Sequence, residues 1–203
     1  MQEHLRRTHE LLIWVNEVLA NARIASSDAQ PLAQKVPVAV GCFHQVIEHG
    51  FAIERLYGSP PFYGSAFALV RPMFEGLVRG LWMLHCATPA QARKFIDTDE
   101  IDQKLEVLIK QVEIQHPGFS SGTLTRVKEG AWRKLASHVY SGASQLKRRI
   151  AENEIRPDYD EAARNEVLGF VRVFALFAAF ELSVLSNRSD LTKQMLTRLQ
   201  AEC

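Results

Sequence analysis

The amino-acid sequence predicts an all-α fold, a single-domain bundle of about seven to nine helices. Apolar residues recur at three- and four-residue steps along most of the chain, and no stretch has the strict alternation of a half-buried strand. Proline and glycine separate the periodic segments, and no linker is long enough to divide the chain. The 203 residues suffice for one hydrophobic core. We therefore expect a single helical domain over residues 1–203.

In the first half of the chain, strong stop signals delimit the predicted helices. Ser26, Ser27 and Asp28 interrupt the first apolar stripe, and the run from Gly58 to Pro61 ends the second helix. The third helix is apolar on nearly every side, which predicts a central position. Thr88 followed by Pro89 is typical of a helix start. The predicted helices cover residues 4–25, 31–57 (or from just after Pro37), 63–86 and 89–96.

The second half follows the same pattern. His116, Pro117 and Gly118 end an amphipathic helix, and Ser141-Gly142 is a predicted C-cap or hinge. The helix that starts at Glu161 is strongly apolar and completes the predicted core. The predicted helices cover residues 101–115, 121–139, 143–152 and 161–185, and a last polar helix starts at 190.

Composition excludes several classes of protein. The content is 47% hydrophobic and 23% charged, which is the composition of a globular domain and not of a disordered chain. The net charge of +1 excludes nucleic-acid or membrane binding through bulk charge. The three cysteines form no C-x2-C pair, so neither a disulfide framework nor a cysteine zinc site is expected. A reducing cytoplasm fits this cysteine usage best.

The amino terminus has no apolar segment of the secretory type, and residues 167–185 are the one predicted membrane candidate. That segment contains Arg172 and Glu181, whose insertion cost roughly cancels the gain from its apolar residues. We expect a buried helix of a soluble bundle, without a membrane partner.

Three charged residues form one line on the apolar third helix. Arg71, Glu75 and Arg79 stand four residues apart and therefore share one face. Burial of these charges costs free energy unless they are paired or face a cleft. One interpretation is a structural row of ion pairs. The other is a cleft in which Arg79 keeps donors for a phosphate or carboxylate ligand.

The segment 126–149 is locally basic. It carries seven Lys or Arg residues against the single acid Glu129. Such a patch can neutralise RNA phosphates, with His138 available as a base and Trp132 or Tyr140 for stacking. The alternative is a pair of solvated helix faces. The seven basic residues are Arg126, Lys128, Arg133, Lys134, Lys147, Arg148 and Arg149.

The second predicted helix carries further polar candidates. His44 and Glu48 are one turn apart, and His49 follows directly. No third residue stands at metal-ligand spacing, so we predict neither a metal site nor a cofactor. His49 remains a candidate ligand-binding residue.

Three stretches of the chain together resemble an uncharacterised bacterial family of helical proteins. The first is Glu48-His49-Gly50, and the second, residues 65–82, fits the family pattern S-A-x-x-L-x-R-P-x-x-E-x-x-x-R-G-x-W. The third is similar to the family motif H-x-x-G-x-x-Q through His138, Gly142 and Gln145, with three residues instead of two between the histidine and the glycine. Tyr140 lies within this third stretch and Arg149 follows it. The resemblance implies a helical fold and kinship, without an activity.

Two short patterns are similar to those of the HEPN superfamily, in which small helical bundles often act as dimeric, metal-independent ribonucleases. The signature is an Arg and a His separated by four to six residues, here Arg133 with His138 and Arg79 with His85. Lys134 follows Arg133, and Gly80 follows Arg79, where the superfamily usually has Asn, Asp or His.

The HEPN resemblance implies a HEPN-like homodimer that cleaves RNA, as in toxin or phage-defence systems. In that mechanism His138 transfers the proton, and Arg133 or Arg79 stabilises charge on the phosphorane oxygens. The alternative function is a non-catalytic module that binds an anionic small molecule or a partner in a cleft. Its candidate residues are Arg71, Glu75, Arg79, His138, His49, Tyr140, Gln145 and Arg149.

Overall fold

The predicted all-α fold is confirmed. The computed structural model describes residues 1–20, 30–139, 142–147, 150–151, 154–155 and 159–202, with side chains except at 30–33, 131–137, 144–145, 150–151 and 154–155. The helices are α1 (Gln2–Ala20), α2 (Gln30–Leu56), α3 (Tyr63–His85), α4 (Pro89–Thr98), α5 (Leu105–Gln115), α6 (Thr123–Val139), α7 (Ala143–Lys147), α8 (Glu161–Leu185) and α9 (Ser189–Glu202), and a 3-10 turn covers Pro117–Phe119.

The structure differs from the sequence prediction in two segments. The helix predicted over 143–152 is wrong beyond Lys147, because β1 (Ile150–Ala151) and β2 (Glu154–Ile155) form a small antiparallel hairpin. Helix α5 begins at Leu105 and not at residue 101. The reason is that Asp99 ends α4 in the left-handed conformation (φ 55°) and Lys104 is extended. Residues 99–104 therefore form a loop.

Helices α3 and α8 form the centre of the bundle, as predicted. Their inward side chains, including Leu77 and Leu81 of α3 and Leu168 and Val171 of α8, are completely buried. Helix α4 begins with a capping box, in which the Thr88 hydroxyl accepts from the Gln91 amide and the Gln91 side chain accepts from the Thr88 amide.

Glycines bring α2 and α3 into close contact. Gly76 faces Val46 and Gly80 faces the ring of Phe43, so the two helices run antiparallel. A Cβ at Gly80 would lie 2.6 Å from Cε1 of Phe43, whose side chain is completely buried. The glycine of the R-G motif is therefore required by the packing.

The apolar helix α8 contains two buried charged side chains, Arg172 and Glu181, and both have partners. The Arg172 Nε donates to Glu202 Oε2 at 2.6 Å, and another Arg172 nitrogen donates to the Thr8 hydroxyl at 3.0 Å. Arg7 also contacts Glu202, at 2.8 Å. Arg172 therefore joins α8 to α1 and α9.

Two helices are long and apolar enough to cross a membrane, residues Gln34–Leu56 and Glu161–Leu185. The expectation of a single candidate was wrong, since the first of these escaped the sequence analysis. Two thirds of the apolar window in the second helix is buried inside the fold, as in the core helix of a soluble protein. The absence of a membrane partner and the cytoplasmic location stay predictions.

Candidate functional site

The polar line on α3 forms a row of ion pairs that borders a cleft. The Arg71 Nε donates to Glu75 Oε1 at 2.8 Å, and Arg79 donates to Glu75 Oε2 at 3.3 Å. The side chain of Arg79 is 44% exposed, against 18% for Arg71 and 21% for Glu75. All three line a cleft of about 610 Å³. The charges are therefore paired, as in the first interpretation, and they also border a cleft; the binding of a ligand by Arg79 stays a prediction.

The opposite wall of the cleft is the loop after α4 together with the start of α5. It contributes the carboxylates of Asp99, Glu100, Asp102 and Glu106, and one cation, Lys104. Two of these carboxylates pair with lysines that are not part of the described lining. Lys94 pairs with Asp102, and Lys128 pairs with Glu106 at 2.6 Å. Cations face the cleft mainly from α3, and carboxylates face it mainly from the loop.

The structure places His138 outside the described lining of this cleft. Its side chain is buried, at 5% exposure, and its ring packs 5.1 Å from that of Phe67 and 5.9 Å from that of Tyr159. Phe67 lies one turn before Arg71 on α3. His138 therefore lies within an aromatic cluster against α3, and its role as a catalyst stays a prediction.

The other predicted site residues are less concentrated. His49 is half-buried on α2, and it is absent from the described lining of the cleft. Burial lowers the pKa of His49, and the nearby Glu48 carboxylate partly opposes that shift. Tyr140 and Arg149 lie outside the described residues, and the side chains of Arg133 and Gln145 are likewise outside the description.

A second cluster, which the sequence analysis missed, joins three distant elements. The Glu181 carboxylate of α8 is bonded through Oε2 to His85 Nε2 at 2.9 Å and through Oε1 to His116 Nε2 at 3.0 Å. The two imidazole rings meet edge to face, with centroids 4.7 Å apart. Glu181 is almost fully buried, at 3% side-chain exposure, whereas His85 is 30% exposed. We call these three residues the His–Glu–His cluster.

A backbone hydrogen bond fixes the tautomer of His116. The Gly118 amide donates to His116 Nδ1 at 3.1 Å, so a neutral His116 carries its proton on Nε2 and donates it to Glu181. Burial alone raises the pKa of Glu181, but the hydrogen bonds from His116 and His85 outweigh it and lower that pKa below its usual value. The carboxylate of the cluster is therefore ionised at neutral pH.

His85, the most exposed residue of the His–Glu–His cluster, borders a second cavity. This cavity, of about 460 Å³, is lined by His85, Cys86, Ile114 and the four glutamines Gln91, Gln103, Gln111 and Gln115. Gln103 also lines the cleft beside Arg79, so the two cavities adjoin. Trp82 donates its indole N–H to Gln111 and thereby orients one amide of the lining.

The spacing of the cluster explains why sequence reasoning missed it. His85, His116 and Glu181 are separated by 31 and 65 residues, so no short motif joins them. The one available signal was a carboxylate within an apolar helix, which needs a partner when it is buried. That signal indicated that Glu181 needs a polar partner, but it did not identify His85 and His116 as the partners.

The comparisons with known proteins place the chain in a family. Searches of curated proteins and of solved structures find no match. The model of a family of unknown function matches residues 43–202, which include α3, the row of ion pairs and the whole His–Glu–His cluster. Because the match covers more than half of the sequence, the chain belongs to the Family of unknown function (DUF6988).

Proposed function

We propose that this protein is a binding module whose ligand occupies the cleft beside Arg71, Glu75 and Arg79. The observation that carries the proposal is the position of Arg79, which is 44% exposed and borders about 610 Å³ of accessible space. Its described contacts consist of one hydrogen bond to Glu75, at 3.3 Å. A guanidinium has five N–H donors, so Arg79 keeps donors for an anionic group.

The charge distribution favours a small zwitterion over a purely anionic ligand. The anionic group of such a ligand pairs with Arg79, while its cationic group faces Asp99 and Glu100 across the cleft. The described ionic residues of the cleft and their partners balance in charge. The cations are Arg71, Arg79, Lys94, Lys104 and Lys128, and the carboxylates are Glu75, Asp99, Glu100, Asp102 and Glu106.

Substitution of Arg79 tests this proposal. We expect a thermal-shift screen of free amino acids and inorganic phosphate to find an amino acid that stabilises the wild-type protein, and titration calorimetry to give its affinity. Loss of a charge-assisted hydrogen bond predicts about a tenfold to hundredfold weaker affinity in Arg79→Ala. The matched control is Arg93→Ala, an exposed arginine of α4 paired with Asp97. Equal affinity in both variants contradicts the proposal, as does stabilisation by phosphate alone.

Metal-independent RNA cleavage of the HEPN type is the second candidate function. It is supported by the position of the basic helix α6 next to the cleft, since Lys128 of that helix pairs with Glu106 of the lining. Arg79 then supplies the cation, and His138 needs to leave its aromatic surroundings to reach a ribose. A homodimer belongs to the same proposal.

An RNA assay in the presence of EDTA separates the two functions. If this protein is a ribonuclease, we expect single-stranded RNA to be cleaved, and His138→Ala to slow cleavage by about 10²-fold or more, the usual contribution of acid–base catalysis. Circular dichroism checks that the variant is folded. Cleavage that His138→Ala leaves unchanged removes His138 as the catalyst, and intact RNA with wild-type protein removes the function.

A further inference from the structure

We propose that His85, His116 and Glu181 form a binding site for a divalent transition-metal ion, for which Zn²⁺ is the ion used in the test. One ligand atom from each residue lies within 4.8 Å of the other two. The three residues come from the end of α3, the turn after α5 and the middle of α8. The site is distinct from the cleft beside Arg79.

The donor set matches the chemistry of such ions. Two imidazole nitrogens and one carboxylate oxygen are ligands that Zn²⁺ binds at about 2.0–2.2 Å. In a tetrahedral site those bond lengths put neighbouring ligand atoms about 3.3 Å apart. His85 Nε2 lies 2.9 Å from Oε2 of Glu181, and His116 Nε2 lies 3.0 Å from Oε1. One ligand atom per residue lies within 4.8 Å of the other two, so the side chains need to close to about 3.3 Å around an ion.

The surroundings provide an entry route and an open coordination position. Glu181 is held at 3% exposure, while His85 is 30% exposed and borders the cavity lined by glutamines. Three protein ligands and one water form the usual arrangement of an open zinc site. The amides of Gln111 and Gln115 line the space in which that water is expected. A divalent cation also compensates the buried charge of Glu181.

The hydrogen bond from Gly118 opposes metal binding. When Nε2 of a neutral imidazole binds a metal, Nδ1 carries the proton, so His116 then loses the bond that it accepts from Gly118. The loss of one neutral hydrogen bond changes an equilibrium only about fivefold to tenfold. The bond from Gly118 therefore lowers the affinity for the metal ion by about that factor.

The test is titration of the metal-free, full-length protein with Zn²⁺ by calorimetry and with Co²⁺ by visible absorption. We expect one ion per chain and the absorption bands of four-coordinate cobalt. The variants His85→Ala and Glu181→Gln are each expected to bind at least about a hundredfold more weakly. His44→Ala, which changes an exposed histidine of α2, is the matched control and is expected to bind like the wild type.

Folding and binding are separated by the choice of variants. His85 is the most exposed of the three proposed ligands, so we expect His85→Ala to retain the fold even if Glu181→Gln does not. Zn²⁺ is also expected to raise the melting temperature of the wild type and not that of His85→Ala. Unchanged affinity in His85→Ala, or no binding by the wild type at millimolar Zn²⁺, overturns the proposal. Loss of binding in His44→Ala alone assigns the ion to a surface site and equally overturns it.

Discussion

Glu202→Gln is expected to lower the free energy of unfolding by about 3 kcal/mol, because it leaves the buried Arg172 without its carboxylate. The side chains of both residues are largely buried, at 7% exposure for Arg172 and 11% for Glu202. Urea denaturation followed by circular dichroism measures the change. After the substitution, the amide oxygen at position 202 and the Thr8 hydroxyl can still accept hydrogen bonds from Arg172, but neither group neutralises a guanidinium.

Substitution of Arg172 is expected to cost less stability than substitution of Glu202, since Glu202 keeps a second partner. In Arg172→Met, Arg7 still pairs with Glu202 at 2.8 Å, so we expect a loss of about 1–2 kcal/mol. The double variant is expected to be more stable than Glu202→Gln alone, because it removes the uncompensated cation. A double variant as unstable as the sum of the two single changes contradicts this account.

Gly80→Ala is the second substitution with a large expected effect, a loss of about 2 kcal/mol. The new Cβ would lie 2.6 and 2.9 Å from two ring atoms of Phe43, which is fully buried, so the ring or the helix must shift within the core. Overpacking of this kind costs about 1–3 kcal/mol. The higher helix propensity of alanine recovers only about 1 kcal/mol of it. Denaturation curves give the difference directly.

The matched control is Gly41→Ala, on the same helix as Phe43. A Cβ at Gly41 meets no atom within 4 Å, so this substitution is expected to stabilise the protein by about 0.5–1 kcal/mol. Phe43→Leu in the Gly80→Ala background is expected to recover part of the loss, because the smaller side chain yields space. If Gly80→Ala gains stability as Gly41→Ala does, the contact between position 80 and Phe43 is not tight, and the prediction is wrong.

The local pattern of the sequence was sufficient for the fold class and for the central helices. The spacing of apolar residues predicted α3 and α8 nearly to the residue, since the periodicity of a helix is a local property of the sequence. The segment after Lys147 was wrong because a two-residue pairing between Ile150 and Ile155 depends on surroundings that a helical pattern does not encode.

The candidate site was predictable only in part. The row Arg71, Glu75 and Arg79 follows from the helical period, so its alignment and its border on a cleft were within reach. The acidic wall was missed because residues 101–104 resembled the start of a helix. The partners of Glu181 depend on how three remote segments meet, and no spacing rule reports that arrangement.

The two buried charges of α8 restrict how that helix can sit in the bundle. Arg172 and Glu181 are nine residues apart, which is about two and a half turns, so they project in opposite directions. A shift of one residue rotates the helix by about 100° and removes both charges from their partners at once. The two charges thereby limit the apolar helix α8 to a single packing register. Its alanine and phenylalanine side chains alone would be compatible with several registers.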